Sequence, residues 1–552
     1  MKNIWKPAPL ILIDDRPTVS GWPKLSLAVL VIFSISCNET TQNQPTLDDF
    51  QLRSTSSFRT VASDPWVTIQ DLAESLSKQP GRQVPKKIPP ILDDLTYEQY
   101  RSIRYRPEKA LWKDESSFQA QLFHLGFLYK TPIKIFLFDR QTKELQPLSF
   151  DRSLFRYDYP APPALQDFPS IPGYAGFRIH YPLNDPNVAD EIAVFLGASY
   201  FRLLGPGQAH GLSSRGLAID SGLGRPEEFP IFTEFWLTKP DDDTTAFEFY
   251  GLLESPSITG AYKFKLSVTN GISLQVDSYL YARKDIEKIG IAPLTSMFLY
   301  GPEQASQFDD YRPAIHDSDG LLLETNTNDW TWRPLRNRQK VRLNSFPTTS
   351  LKGFGLAQRS RDFSQFLDLE AQYHKRPSQW VSLNNADWGP GKIELLEIPS
   401  SQEFNDNVVA YWIPQQKIRK GDTLNYSYTL STFDDRHSSQ ILGQVKRTSI
   451  GSSGLPGESP MPPPENRRFV VDFKNIPNLD LTSHNSLLPE LELTSGTFSE
   501  LVLMKLPFKD EWRATFEFYP DIQKQSTLTL YLRKDDVPVT ETWSYVWYPK
   551  IF

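Results

Sequence analysis

The chain has 552 residues, with 59 Lys and Arg against 66 Asp and Glu and a net charge of −7, a balance that counts against a nucleic-acid binder, whose phosphate contacts need a basic surface. Apolar (39%) and charged (23%) fractions are ordinary, which excludes a disordered chain. Aromatics at 13% and 45 Pro against 28 Gly argue for many short strands joined by fixed turns rather than a helical bundle.

In chain order, Lys24 precedes the apolar run LSLAVLVIF at 25–33, then Ser34, Ile35, Ser36 and Cys37. The run reads as a secretory h-region, too short for a stop-transfer helix. Cys37 is the single cysteine, so an internal disulfide, a Cys-based zinc site and a redox pair are all ruled out. Its place after small residues is that of a bacterial lipoprotein cleavage site, where the thiol is lipidated and the mature chain begins. An unlipidated export signal with an incidental Cys is the other reading; both export the protein. Ser34 stands where such sites usually carry Leu, and Asp14 and Asp15 sit in the segment before the run. Residues 38–57 are polar and read as a tether.

Helical signals come early. Trp66, Ile69, Leu72, Ala73 and Leu76 recur at helical spacing before Pro80 and Gly81. A second helix is predicted over 97–103, with Thr96 and Gln99 as a capping box. Strand patterns follow: Phe264 to Val268, Leu274/Val276/Leu280, Ala514/Phe516/Phe518 and Leu528/Leu530/Leu532 alternate apolar with polar residues. The stretch 433–465 holds GSSGLPGESPMPPPEN and reads as a linker. The pattern thus predicts an all-β protein with few short helices: a large β-sandwich over 58–432, then a small one over 466–552.

The sequence lacks GxxxxGK[ST], a GxGxxG after a strand, and GxSxG, and its seven His never fall three or four apart. No cofactor or metal is expected. Carboxylates and aromatics remain, the materials of glycan sites, where paired carboxyls cleave glycosidic bonds. Two acidic segments stand out: Asp317-Ser318-Asp319-Gly320, and Glu403-Phe404-Asn405-Asp406-Asn407 ahead of an apolar run. Flanking apolar residues would bury such carboxyls and raise a pKa toward that of a general acid. Asp-Ser-Asp-Gly is equally an ordinary turn, and Asn-Asp-Asn an ordinary hairpin end.

Longer runs carry a resemblance. YRSIRY (100–105), KALW (109–112), FHLGF (123–127), GYAGFR (173–178), FLGASYFRLLGPGQAHGLSSRGLAID (195–220), GIAPLTSMF (290–298), HDSDG (316–320), KGFGLAQRSRDF (352–363) and KRPSQWV (375–381) together resemble the osmoregulated periplasmic glucan biosynthesis proteins, G and D types, of Gram-negative bacteria. The resemblance implies a galactose-mutarotase-like N-terminal sandwich, an immunoglobulin-like C-terminal one and a periplasmic location. It further implies work on the β-1,2-linked glucose backbone of periplasmic glucans, the D type as inverting endo-β-1,2-glucanases. By motif the family's general base falls on Asp317 and its general acid on Asp406. Inverting carboxyls ordinarily stand about 6.5–9.5 Å apart, but this family is thought to use a longer proton route through water and a substrate hydroxyl.

Further roles follow from the same likeness. Asp319 either orients Asp317, binds a hydroxyl or forms the turn. Tyr200, Arg202 and Arg215 line the groove, the alternative for both arginines being a buried structural ion pair. Asp368 matches an acidic position and is offered to sugar. Trp330, Trp380 and Trp388 are offered as stacking platforms, against the commoner place of Trp in a β core. The partners implied are the β-1,2-glucan, a membrane glucan glucosyltransferase for which the protein would otherwise serve as a non-catalytic scaffold, and a second copy in a homodimer; the membrane is met only through a lipid on Cys37.

Overall fold

The computed structural model describes residues 59–60, 64–81, 88–168, 171–242, 244–325, 329–383, 387–454, 457, 459–477, 487–507 and 509–549. The export signal (1–37), Cys37 and the tether (38–57) lie outside the described residues. Among the described residues no helix is long and apolar enough to cross a membrane.

The helix Pro65–Ser77 starts where Asp64 accepts the Trp66 N–H at 3.0 Å with Pro65 in the first turn. It buries Ile69 and Ala73 against the strand Ile258–Ser267, where Thr259 donates to the Ala73 carbonyl at 2.7 Å. The helix Tyr97–Arg101 carries the predicted capping box between Thr96 and Gln99.

Everything else of size is strand, and the chain is all-β. One large sheet centres on the antiparallel meander Ala246–Glu254, Ile258–Ser267 and Ser273–Ala282, to which Thr423–Phe433 adds from far along the chain. A second sheet runs in the order Arg342–Thr348, Gly391–Glu397, Val408–Pro414, Ile289–Ser296, Ser213–Arg215, Tyr200–Leu203, Asp190–Leu196, Gly176–Tyr181, Gln119–Phe123. A phenylalanine cluster packs in the core the two sheets share, with Phe249 to Phe264 at 4.9 Å, Phe195 to Phe249 at 5.0 Å and Phe177 to Phe195 at 5.2 Å. Each ring contributes roughly 1.5–3 kcal/mol by leaving water. Because side chains alternate along a strand, the residues beside these rings point the other way, and that outer face carries Arg178, Tyr200, Arg202 and Arg215.

The small sandwich sets Leu487–Leu493, Ser526–Lys534 and Thr542–Trp547 against Gln444–Ser452, Arg467–Lys474 and Glu511–Tyr519. Leu528, Leu530 and Leu532 face Ala514, Phe516 and Phe518, all at or near zero exposure. The stretch 433–465, read as a linker, contains the strand Gln444–Ser452, which pairs with Arg467–Lys474 over its whole length. The described residues between Ser452 and Arg467 lie outside any strand.

The two sandwiches share one seam. Thr331 and Trp332 pair in parallel with Thr542 and Trp543, and Trp330, Trp332 and Trp380 pack into the small sandwich's core. Arg359 holds Glu541 through its two terminal guanidinium nitrogens, with both side chains almost wholly buried, and donates to the Val445 carbonyl as well. Gln440 and the Val445 N–H complete the carboxylate's partners. Removing one member of such a pair strands the other without solvent. Glu541→Gln is therefore expected to cost about 3–5 kcal/mol in urea denaturation. Arg447→Gln, which breaks an ion pair whose cation is half exposed, should cost under about 1 kcal/mol.

Candidate active site

The outer face of the second sheet is built by register. Val194 lies opposite Arg178 and Arg202 on its two neighbours, Tyr200 pairs Arg215, and Ser213 pairs Thr295. Arg202 donates to the Ser213 hydroxyl at 2.8 Å and Arg215 to the Thr295 hydroxyl at 2.9 Å. Arg215 also pairs with Glu227 at 2.7 Å and lies 4.7 Å from the Tyr200 ring centre. Tyr200, Arg202 and Arg215 thus come together on one face. Arg215 is at the same time the buried ion pair of the alternative reading.

Three residues tie both acidic segments to this face. The Ser296 carbonyl accepts the Asn407 N–H at 3.0 Å, and the Met297 carbonyl accepts the Asp317 N–H at 2.8 Å. The Asn407 side chain accepts from the Phe298 N–H at 2.8 Å and donates to the Phe298 and Ile398 carbonyls at 3.0 Å. Ser296 donates to the Ser318 hydroxyl at 2.8 Å. Asp317 and Asp406 therefore hang from neighbouring peptides of one strut, 296–298.

Their environments differ. Asp317 is 1% exposed and accepts a hydrogen bond from Arg376. Burial pushes its carboxyl up, while Arg376 and then Arg202 pull it down. Asp406 keeps some solvent contact, but its Oδ2 is buried with no hydrogen-bond partner. Burial, and the Asp317 charge beside it, push the Asp406 carboxyl up to about 6 against the pull of Arg202 and Arg215. The charge of Asp317 on Asp406, and the shared pull of Arg202 and Arg376 on both, put the two acids in one electrostatic site. His316, next to Asp317, is buried against the Phe298 ring at 5.2 Å and pushed down to about 3. It is a neutral packing residue at neutral pH.

Several predicted residues take other places. Asp319 accepts the backbone N–H groups of Arg359 and Ser360 at 3.1–3.2 Å, so its carboxylate caps the backbone of the interdomain arginine. Gly320 after it is required by packing, since a Cβ there would stand 2.1 Å from the Trp332 ring. Asp368 accepts from the Glu370 and Ala371 N–H groups and from Arg312 at 2.8 Å; its carboxylate is occupied by protein. Trp330 and Trp380 are not sugar platforms. Each is 2% exposed, and they stack on one another at 5.3 Å inside the seam. Trp388 is half-buried against Trp412, Tyr426 and Tyr428.

The residues that sequence reasoning left without a role are Arg376, Asn407, Tyr373, Arg312 and Glu403. Arg376 lies 4.0 Å from the Tyr373 ring centre, Tyr373 donates to Glu403 at 3.1 Å, and Arg312 bridges Asp368 and Glu403. This network holds the loop bearing Arg376 against Asp317. Exposed aromatics in the adjoining segments include Tyr311, 75% exposed, and Phe404, 41% exposed. Among the described residues no group of three or more His, Cys, Asp and Glu could hold a metal ion.

The model of the family described as "Periplasmic glucan biosynthesis protein, MdoG" matches residues 66–547. A protein named "Glucans biosynthesis protein G" from Vibrio cholerae is 38% identical over 487 residues, covering 87% of this chain and 86% of its own. Proteins of the same name from Bradyrhizobium diazoefficiens (38% over 483 residues, covering 87% and 93%) and Ralstonia nicotianae (38% over 487 residues, covering 86% and 94%) are similar throughout.

The Asp406 environment has a measurable consequence. An unfolded Asp titrates near about 3.9, so the folded state binds this proton more tightly. The stability it contributes is full below about pH 4 and is lost as pH rises through about 6. Asp406→Asn is expected to remove that decline and to match or exceed the wild type in urea denaturation at pH 7.5. Identical pH–stability profiles for the two proteins would contradict it.

Proposed function

Because the chain belongs to the periplasmic glucan biosynthesis protein family, with its role in periplasmic glucan biosynthesis, we propose that it hydrolyses the β-1,2-glucan backbone as an inverting endo-glucanase. The observation that carries this reading is the pair of unlike carboxyls on one strut, with Asp406 raised to about 6 and Asp317 bonded to Arg376. A carboxyl near 6 is still partly protonated at neutral pH, as a general acid must be. The guanidinium of Arg376 favours the ionised form of Asp317, the form a base uses, against the burial that raises its carboxyl.

In this mechanism Asp406 gives its proton to the glycosidic oxygen as the bond to the anomeric carbon breaks. Asp317 takes a proton from the water that attacks that carbon from the opposite side, directly or through intervening hydroxyls. The sugar leaves with inverted configuration and the two carboxyls have exchanged protonation states. Arg202 and Arg215 lie beside the acids and favour the Asp406 carboxylate that forms when its proton leaves.

A second reading has its own observation. Arg376 occupies the carboxylate that a base must offer to water, which suits a protein that binds glucan for a membrane glucosyltransferase without cleaving it. Release of reducing ends from linear β-1,2-glucan separates the two. Asp406→Asn and Asp317→Asn are each expected to lower turnover by at least about 10²-fold. The wild-type rate should fall as pH rises through about 6, where Asp406 loses its proton. Wild-type turnover in both variants would end the hydrolase proposal, and polymer binding with no product from the wild type would establish the scaffold.

A further inference from the structure

A cavity of about 400 Å³ opens at the far edge of the same sheet, where neither acid lines it. Its volume falls within the range of small-molecule sites, about 300–1,000 Å³. Two strands along from Arg202, Arg178 marks its inner end. The walls are aromatic: Tyr97, Tyr100, Tyr105, Phe123 and Phe155. Tyr100 is fixed by donating to the His124 carbonyl at 2.9 Å, and Tyr105 packs edge-on to Phe155 at 5.5 Å. The walls are therefore preformed.

The rim is cationic. Arg101, Arg104, Arg106, Arg156 and Arg178 all line the cavity, and Glu108 is the single acidic residue that does. Most of this charge is only lightly neutralised. Arg156 takes Asp158 at 2.9 Å, leaving Arg104 with the same carboxylate at 3.9 Å. Arg106 reaches Glu108 at 3.6 Å, and Arg178, like Arg156, is held closely, by Glu191 at 3.0 Å and by Gln121. Arg101 has no hydrogen-bond or ion-pair partner among the described residues. His124 adds no charge, since burial pushes it down to about 4.

Five guanidiniums thus face three carboxylates around an apolar-walled space, in a chain whose net charge is −7. A neutral sugar needs no such excess, and a cation would be repelled. We propose that this cavity binds a small organic anion, with an apolar or ring-shaped body against the tyrosines and its negative group between Arg101 and Arg104. The site is independent of any chemistry at Asp406 and Asp317.

The probe is 8-anilino-1-naphthalenesulfonate, a ring body carrying one sulfonate, titrated by fluorescence into the full-length protein. Its uncharged analogue N-phenyl-1-naphthylamine serves as the control. Arg101 and Arg104 are exposed and hold no fold contact closer than the 3.9 Å pair, so Arg101→Ala/Arg104→Ala leaves the fold intact, as an unchanged thermal midpoint verifies. Saturable sulfonate binding is expected, weakened about tenfold in the double variant, the weight of one charge-assisted hydrogen bond. The uncharged analogue should keep its affinity. Tyr97→Ala should weaken both probes. No saturable binding, equal sulfonate affinity in wild type and double variant, or equal losses for both probes would each overturn the proposal.

Discussion

The site depends on a strut of three residues. Ser296, Met297 and Phe298 follow the strand Ile289–Ser296 out of the second sheet, and their peptide groups receive the backbone of Asp317 and both backbone and side chain of Asn407. Two acids distant in the chain are thereby held on adjacent rungs. Asn407 is 2% exposed, so its three hydrogen bonds exchange no energy with water and fix the loop before Val408–Pro414 firmly. The acid of that loop, Asp406, has no freedom to leave the site without stranding Phe298.

Burial then does the chemical differentiation. Charges removed from water must be paired or neutral, and the site offers three guanidiniums, two from the sheet and one from a loop, each steadied by a neighbour: Arg202 by Ser213, Arg215 by Glu227 and Thr295, Arg376 by Asp317 and the Ala371 carbonyl. Asp317 receives one of them in direct contact. Asp406 receives only their field, and one of its oxygens is left without a partner. Burial raises both carboxyls, and their unlike contacts set Asp317 against a guanidinium while Asp406 has none in direct contact.

Much of the fold was legible in the chain. Alternation at Leu528, Leu530 and Leu532 reads directly as a strand with one buried face, and Thr96 with Gln99 reads as a helix start, because both signals are local. The linker reading failed at Gln444–Ser452, whose flanking Gly, Ser and Pro outweighed a pattern too polar to register as a strand. Trp330 and Trp380 were misplaced for a related reason. A Trp on a core face and one on a solvent face have the same sequence neighbours, and which applies depends on a second sandwich docking there. Arg376 sits in a motif visible in the sequence, but its bond to Asp317 is tertiary and has no spacing signature. The pairing of Asp317 with Asp406 itself came from family likeness, since each segment alone is an ordinary turn.

The interdomain seam and the acids are joined through one short segment. Asp319 receives Arg359's backbone while Arg359's side chain holds Glu541, so the turn carrying Asp317 is braced from both the strut and the small sandwich. The central claim is that Asp317 and Asp406 share one electrostatic site. It is tested most directly by following the Asp406 carboxyl by carbon NMR across pH in the wild type and in Asp317→Asn. The account predicts a midpoint of about 6 in the wild type that falls when Asp317 is neutralised, because a like charge is removed and Arg376 is released. A midpoint unmoved by that substitution would contradict it.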